Sequence, residues 1–87
     1  MQNITSIKNQ FPIFDNKINN KDLIYLDSAA SAQKPRVVLE TLQKAYSETY
    51  SNVHRGLHWL SETSTEKYEN VRIKAAKFLG ANSSNEI

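Results

Sequence analysis

Residues 51–61 read S-N-V-H-R-G-L-H-W-L-S and separate two segments with helical periodicity. The stretch contains both histidines of the chain, its single tryptophan and one of its two glycines. Imidazoles titrate near neutral pH, and a guanidinium such as that of Arg55 suits carboxylates and phosphates. Gly56 is interpreted as a residue whose backbone conformation would strain other residues. Two interpretations remain open here: a connector anchored by Val53 and Trp59, or a functional loop.

The segments on either side of this stretch predict α-helices. Residues 35–50 begin with a proline, which favours the first helical position, and keep their apolar side chains on one face. Residues 62–80 carry Thr63 and Glu66 at capping-box spacing and end at Gly80, a residue typical of helix C-termini. The apolar stripe of this second helix comprises Tyr68, Val71, Ala75, Phe78 and Leu79.

The remaining parts of the chain predict little regular structure. Residues 1–34 are interpreted as an arm, one strand and a small-residue loop. The strand is predicted at 23–26, L-I-Y-L, because a short apolar run rich in β-formers suits a buried strand. Asn19 and Asn20 tolerate left-handed backbone, which favours a tight reversal before it. Residues 81–87 are predicted to start a further strand.

The composition excludes several classes of function. A chain of 87 residues allows one small domain at most. The absence of cysteine excludes disulfides, thiolate metal sites and cysteine nucleophiles within the chain. The net charge of +2, with scattered lysines, gives no argument for nucleic acid. No signal peptide or membrane-spanning run is found, so a cytoplasmic protein without membrane contact is expected.

A metal site is the weakest of the functional interpretations. His54 and His58 are four residues apart, a spacing that suits zinc on a helix. Gly56 lies between them, however, and the sequence shows no obvious third ligand. No metal site is therefore predicted.

Several short motifs occur together in one order. They are F-P-I at 11–13, I-Y-L-D-S-A-A at 24–30, Q-K-P at 33–35, N-V-H-R-G-x-H-x-L-S at 52–61, Y-E-x-x-R at 68–72 and E-I at 86–87. The set resembles the N-terminal part of the Suf-type pyridoxal-phosphate-dependent cysteine desulfurases of the class V aminotransferase family, over essentially all residues. The resemblance implies an α/β fold class, with this chain as a mostly helical N-terminal fragment of a fold-type I transferase.

The resemblance also implies a function and a candidate site. Members of this family are homodimers that take sulfur from L-cysteine, leave L-alanine, and pass the sulfur as a persulfide to an acceptor protein for iron–sulfur cluster assembly. Their cofactor, pyridoxal phosphate, acts as an electron sink. By motif match, Ala29 and Ala30 would lie near the substrate, and His54, Arg55 and Gly56 would lie at the active-site entrance.

The same resemblance places the cofactor lysine, the phosphate-binding turn and the persulfide cysteine outside these 87 residues. No catalytic or cofactor-binding residue is therefore expected here, and the chain alone is expected to be an inactive, truncated piece that binds no cofactor. Two alternatives remain. One is a small helical interaction protein whose Tyr46 and Tyr68 faces bind a partner subunit, and the other is a fragment of a different class V enzyme.

Overall fold

The computed structural model describes residues 3–87, which fall into two compact units, one ending at Gln43 and one spanning Lys44–Ile87. The first unit begins with α1, Ile4–Lys8, whose N-terminus is capped because the Asn3 side chain accepts a hydrogen bond from the Thr5 N–H. A 3-10 turn, Pro12–Asp15, follows it. No described helix is long and apolar enough to cross a membrane.

A small hairpin forms next. β1, Lys17–Ile18, pairs antiparallel with β2, Lys21–Asp22. The two residues between them, Asn19 and Asn20, have φ values of 51° and 62°. Positive φ at both central positions is the requirement of a type I′ hairpin turn, which asparagine meets well. The predicted reversal at these asparagines is confirmed.

The strand predicted at 23–26 is wrong. The structure has no strand there, and the side chains of Ile24 and Leu26 are 80% and 92% exposed. A buried strand needs a neighbouring strand for its backbone groups, and no described residue of the first unit pairs with this segment. Within this run Leu23 and Tyr25 are half-buried, while Ile24 and Leu26 remain exposed.

The first predicted helix, 35–50, is divided in the structure. The regular part is α2, Arg36–Lys44, and the Arg36 N–H donates a hydrogen bond of 2.7 Å to the Gln10 carbonyl. A π-helical turn, Ala45–Thr49, continues it. Such turns often occur near functional sites, and this one leads directly into residues 51–61.

The second predicted helix begins earlier than residue 62. α3 spans Trp59–Leu79, and its N-cap is His58, whose Nδ1 accepts a hydrogen bond from the Ser61 N–H. The capping box predicted at Thr63 and Glu66 is wrong, because both residues lie inside the helix, where a capping residue's extended backbone is not available. Gly80 ends the helix with φ 72°, which confirms the predicted C-terminus.

The strand predicted to start within 81–87 is also absent from the described structure. A 3-10 turn, Ser84–Glu86, takes its place. The Ser83 and Glu86 side chains form a reciprocal capping box, in which the Asn85 N–H donates to Ser83 Oγ and the Ser83 N–H donates to Glu86 Oε1. These local bonds satisfy backbone groups that a strand would need a neighbour to satisfy.

Little of the described chain is buried. Ala76 is the one buried apolar residue among residues 3–87, and Thr49 and Ser61 are the buried polar ones. Large apolar side chains are exposed, among them Tyr68, Val71, Phe78 and Leu79. The apolar stripe of α3 therefore faces outward in the part of the chain described here.

Candidate functional site

The loop that precedes α3 is organised around Ser61, whose side chain is fully buried. Ser61 Oγ accepts a hydrogen bond of 3.0 Å from the Gly56 N–H and donates one of 2.6 Å to the Asn52 carbonyl. Its own N–H completes the His58 cap. One hydroxyl in the first turn of the helix therefore closes residues 52–58 into a compact loop, which we call the HRG loop.

Gly56 has a different role from the one interpreted from sequence. Gly80 is the one described glycine with a positive φ, so Gly56 does not occupy the left-handed region. A Cβ atom at Gly56 would lie 2.4 Å from Ser61 Cβ and 2.5 Å from Ser61 Oγ. Glycine is needed here because the backbone approaches a buried side chain closely, and not because of its backbone angles.

The left-handed residue of the HRG loop is His54, with φ 68°. Its N–H donates a hydrogen bond of 2.8 Å to Thr65 Oγ1, and its Nε2 lies 2.5 Å from Glu69 Oε1. The ring also meets Tyr68 edge to face, with 5.5 Å between centroids. Histidine tolerates this conformation better than most residues, and these contacts from α3 hold it there.

A second layer of bonds supports Glu69. The Arg72 guanidinium donates to Glu69 Oε2 at 3.1 Å and to the Ser84 carbonyl at 3.0 Å. The hydrogen bond from His54 is the main cause that holds the pKa of the Glu69 carboxyl below its usual range. Desolvation opposes this effect, and the charge and hydrogen bond of Arg72 add to it. His54 is thus linked through Glu69 and Arg72 to the 3-10 turn after α3.

Arg55 is the candidate residue that the loop presents outward. Its side chain is exposed, and within residues 44–87 no carboxylate or carbonyl accepts a hydrogen bond from it. The flanking peptide groups, by contrast, are both bonded to α3. The structure therefore combines a fixed backbone with an unpaired guanidinium, an arrangement suited to binding an anion.

Ala29 and Ala30 belong to the first unit, in the turn 28–30. The N–H groups of Ala30 and Ser31 both donate to the Asp27 carbonyl at 3.1 Å. The Tyr25 hydroxyl donates to the carbonyls of Asp27 and Ser31 and closes the turn. Both alanines are exposed, so the backbone of this turn is accessible.

The described residues do not fit a pyridoxal phosphate site. That cofactor needs an amine, donors for its phosphate and a partner for its ring nitrogen. A cavity of about 220 Å³ beside Ala45 and Val53 contains Lys67 but no carboxylate and no arginine. A cavity of about 350 Å³ contains Arg36 and Glu40 but no lysine. A third cavity, of about 340 Å³, contains Lys77 but no carboxylate and no arginine.

The two histidines are also not arranged as metal ligands. His54 lies in the HRG loop and not on a helix, and its Nε2 is engaged by Glu69. His58 Nδ1 accepts the helix-capping hydrogen bond. Within residues 3–87, no group of three or more His, Cys, Asp or Glu side chains could hold a metal ion.

The architecture has the fold of part of a fold-type I protein, because it matches the apo structure of a cysteine desulfurase from Thermococcus onnurineus NA1. The TM-score is 0.78 at 33% identity, covering 94% of this chain and 19% of that chain. The chain belongs to the class V aminotransferase family, whose model, Aminotransferase class-V, matches residues 24–87. The fold class expected from the motifs is confirmed by these matches.

Curated relatives agree with that family. The chain is 50% identical over 82 residues to a probable cysteine desulfurase of Synechocystis, covering 94% of this chain and 20% of the relative. It is 50% identical over 84 residues to the cysteine desulfurase of Wigglesworthia glossinidia brevipalpis, covering 97% and 20%. The chain thus spans about a fifth of the length of these relatives. The resemblance to cysteine desulfurases is confirmed.

The Glu69 cluster predicts a pH dependence that can be measured in a chimera, defined as a complete homologous desulfurase in which residues 1–87 replace the matching segment. Because folding lowers the pKa of Glu69, its contribution to stability is present above the ordinary glutamate pKa of about 4.3 and is lost as the pH falls through the lowered folded value. Glu69→Gln should therefore lower the melting temperature near pH 7, and the difference should shrink in acid.

Glu66→Gln is the matched control for this measurement, because Glu66 is exposed on the same helix and makes no hydrogen bond to the described part of the HRG loop. Its melting curve should follow that of the unsubstituted chimera at every pH. A constant difference between Glu69→Gln and the chimera from pH 7 into acid would contradict the lowered pKa of Glu69.

Proposed function

We propose that this chain forms the segment of a cysteine desulfurase that carries the active-site entrance loop. The intact enzyme would act in the cytoplasm, convert L-cysteine to L-alanine, and transfer the sulfur as a persulfide to an acceptor protein for iron–sulfur cluster assembly. Supporting this are the family membership and the desulfurase relatives that cover nearly the whole chain. The persulfide cysteine must come from other residues, because this chain has no cysteine.

The cofactor of that intact enzyme would be pyridoxal phosphate, which supplies an electron sink for carbon-centred negative charge. Since the described residues do not fit it, the 87-residue chain is proposed to bind no cofactor and to be inactive alone. The intact enzyme is also proposed to be a homodimer. This would give the exposed apolar faces of the described chain neighbours that cover them.

The observation that carries the proposal is the exposed Arg55, which has no partner within residues 44–87 and lies in the HRG loop between two residues that are hydrogen-bonded to α3. In this proposal Arg55 binds the carboxylate of L-cysteine or an acidic group across the subunit interface. A planar guanidinium can donate two parallel hydrogen bonds to a carboxylate, which fixes orientation as well as position. His54 and Gly56 then serve to hold Arg55 at the entrance, and Ala29 and Ala30 leave room for substrate.

Substituting Arg55 in the chimera tests this function. The unsubstituted chimera should form alanine from L-cysteine. Arg55→Ala should lower kcat/KM by about tenfold to a hundredfold, the loss expected for one charge-assisted contact. Arg55→Lys keeps the charge but loses the planar guanidinium that donates two parallel hydrogen bonds, so its kcat/KM should fall between those of Arg55→Ala and the unsubstituted chimera. Alanine formation, the dimer fraction and the melting temperature are measured together.

Lys74→Ala is the control, since Lys74 is an exposed cation on α3. It should leave alanine formation unchanged. If both Arg55 variants keep full turnover and dimerisation, or fail only by unfolding, Arg55 is a structural residue. A folded chimera that forms no alanine would count against the desulfurase proposal itself, and activity on a different amino acid would favour another class V enzyme.

The second candidate function is a small helical interaction protein, favoured by exposed aromatic side chains. Tyr46 and Tyr50 are exposed and lie with their ring centroids 5.1 Å apart, and Tyr68 is exposed on α3. Aromatic side chains of this kind often anchor protein interfaces. Saturable binding of the 87-residue chain to an intact desulfurase subunit, lost on Tyr46→Ala, together with an inactive chimera, would favour this candidate.

A further inference from the structure

A polar ladder runs along one face of α3. Its members are Ser61, Thr65 and Glu69, placed at intervals of four residues. Residues four apart on a helix lie one above the other on the same face. The apolar stripe read from sequence accounts for a different set of α3 residues, so this polar repeat needs its own explanation.

Every member of the polar ladder contacts the HRG loop. Ser61 Oγ accepts from the Gly56 N–H at 3.0 Å, and Thr65 Oγ1 accepts from the His54 N–H at 2.8 Å. Glu69 Oε1 lies 2.5 Å from the ring nitrogen of His54. The two main-chain donors are those of the residues immediately before and after Arg55. The polar ladder thus forms hydrogen bonds with the backbone on both sides of the exposed Arg55.

We propose that Thr65 and Glu69, with Ser61, are positioning residues for Arg55 that set how well its guanidinium meets a carboxylate. This inference rests on the proposed function, because it needs Arg55 to bind that group. Beyond that function, the polar ladder would orient Arg55, and this role would explain why its members are four residues apart.

The physical basis is preorganisation. A side chain that binds from a fixed backbone loses less conformational freedom on binding than one that binds from a mobile loop. The left-handed φ of His54 is sparsely populated, and it persists only where surrounding contacts hold it. Removing the Thr65 acceptor releases the His54 N–H and lets this backbone relax, which moves Arg55 without touching it.

Thr65→Val in the chimera is the first test, since valine keeps the shape of threonine and removes the acceptor. We expect kcat/KM for L-cysteine to fall by about threefold to tenfold, as for the loss of one neutral hydrogen bond. Thr65→Ser restores a hydroxyl and should restore kcat/KM. Thr63→Val is the matched control, because Thr63 lies on the same helix, is similarly half-buried and makes no hydrogen bond to the described HRG loop.

A double-mutant cycle separates positioning from general stability. If Thr65 acts through Arg55, Thr65→Val should have no further effect on kcat/KM in an Arg55→Ala background. Glu69→Gln should behave in the same way. An equal loss in both backgrounds, or a Thr63→Val loss as large as that of Thr65→Val, would overturn the inference while leaving the proposed function intact.

Amide hydrogen exchange gives a readout that does not depend on activity. In the folded chimera, the His54 and Gly56 amides should be protected, and Thr65→Val should expose the His54 amide selectively. Fast exchange at both amides in the unsubstituted chimera would show that the polar ladder does not hold the HRG loop, whether or not the chimera forms alanine. Protected amides in a chimera that forms no alanine would support the hydrogen bonds between the polar ladder and the HRG loop, and would count against the proposed function.

Discussion

Replacing Gly56 with alanine is expected to disrupt the HRG loop and destabilise the chimera by about 2 to 3 kcal/mol, the cost of forcing atoms into a packed site. The added Cβ would lie 2.4 Å from Ser61 Cβ, closer than two non-bonded carbon atoms can approach, and Ser61 is fully buried. The backbone must therefore move, and the bond from the Gly56 N–H to Ser61 Oγ must lengthen or break. Denaturant unfolding measures the loss.

The steric origin of the Gly56→Ala loss can be tested at Ser61. Ser61→Gly removes the two nearest atoms that the new methyl group meets, so it should destabilise the Gly56→Ala variant less than it destabilises the unsubstituted chimera. Ser61→Ala leaves the Cβ in place, so it should show a smaller difference between the two backgrounds. If Gly56→Ala unfolds at the same denaturant concentration as the unsubstituted chimera, the close approach is absent.

Gly80 provides the contrast within the same chain. It has φ 72°, and among residues 3–87 no non-neighbouring atom lies within 4 Å of an added Cβ, so its constraint is conformational and not steric. Gly80→Ala should cost about 1 kcal/mol, and Gly80→Asn should cost less because asparagine tolerates this region. Gly56→Asn, in contrast, should be at least as damaging as Gly56→Ala.

Ser61→Ala is the second substitution with a large expected effect, about 2 to 4 kcal/mol of unfolding free energy, because two backbone groups lose their partner at once. The Gly56 N–H loses its acceptor and the Asn52 carbonyl loses its donor, in a part-buried setting. Alanine itself suits a helix better than serine, so a loss of stability would report the loop bonds and not helix propensity.

Ser64→Ala is the comparison for Ser61→Ala. Ser64 Oγ makes one hydrogen bond, to the Thr49 carbonyl at 2.6 Å, and is less buried than Ser61. Ser64→Ala should therefore cost about 1 kcal/mol. Equal losses for the two serines, measured by denaturant unfolding of the chimera, would show that Ser61 does not organise the HRG loop.

Local rules predicted the elements that depend on neighbours in sequence. The α3 C-terminus at Gly80 and the reversal at Asn19 and Asn20 were predictable, because a left-handed residue at a helix end or hairpin turn is chosen by its own side chain. Both long helices were predictable from the spacing of their apolar residues. The motifs in order also identified the family, which the comparisons confirm.

The two strands that were wrongly predicted depend on partner strands. The apolar run at 23–26 has the composition of a strand, but strand formation requires a second strand, and none in the described first unit pairs with it. The turn at Ser84–Glu86 is helical for the same reason. The α3 N-cap was missed because a histidine ring nitrogen can cap a helix, although serine and threonine are far commoner there.

In the candidate site, too, some features follow from the sequence and others only from the tertiary structure. The sequence by itself determined which chemical groups the loop offers, because His54, Arg55 and Gly56 are consecutive residues of one recognisable motif. Only the tertiary structure decided that Gly56 gives room to Ser61, that His54 is the left-handed residue, and that Thr65 and Glu69 hold it. These features depend on distances between residues 5 to 15 positions apart, which are set by how the loop folds back on α3. The four-residue spacing of Ser61, Thr65 and Glu69 was visible in the sequence, but it gained meaning only once the loop lay against that face.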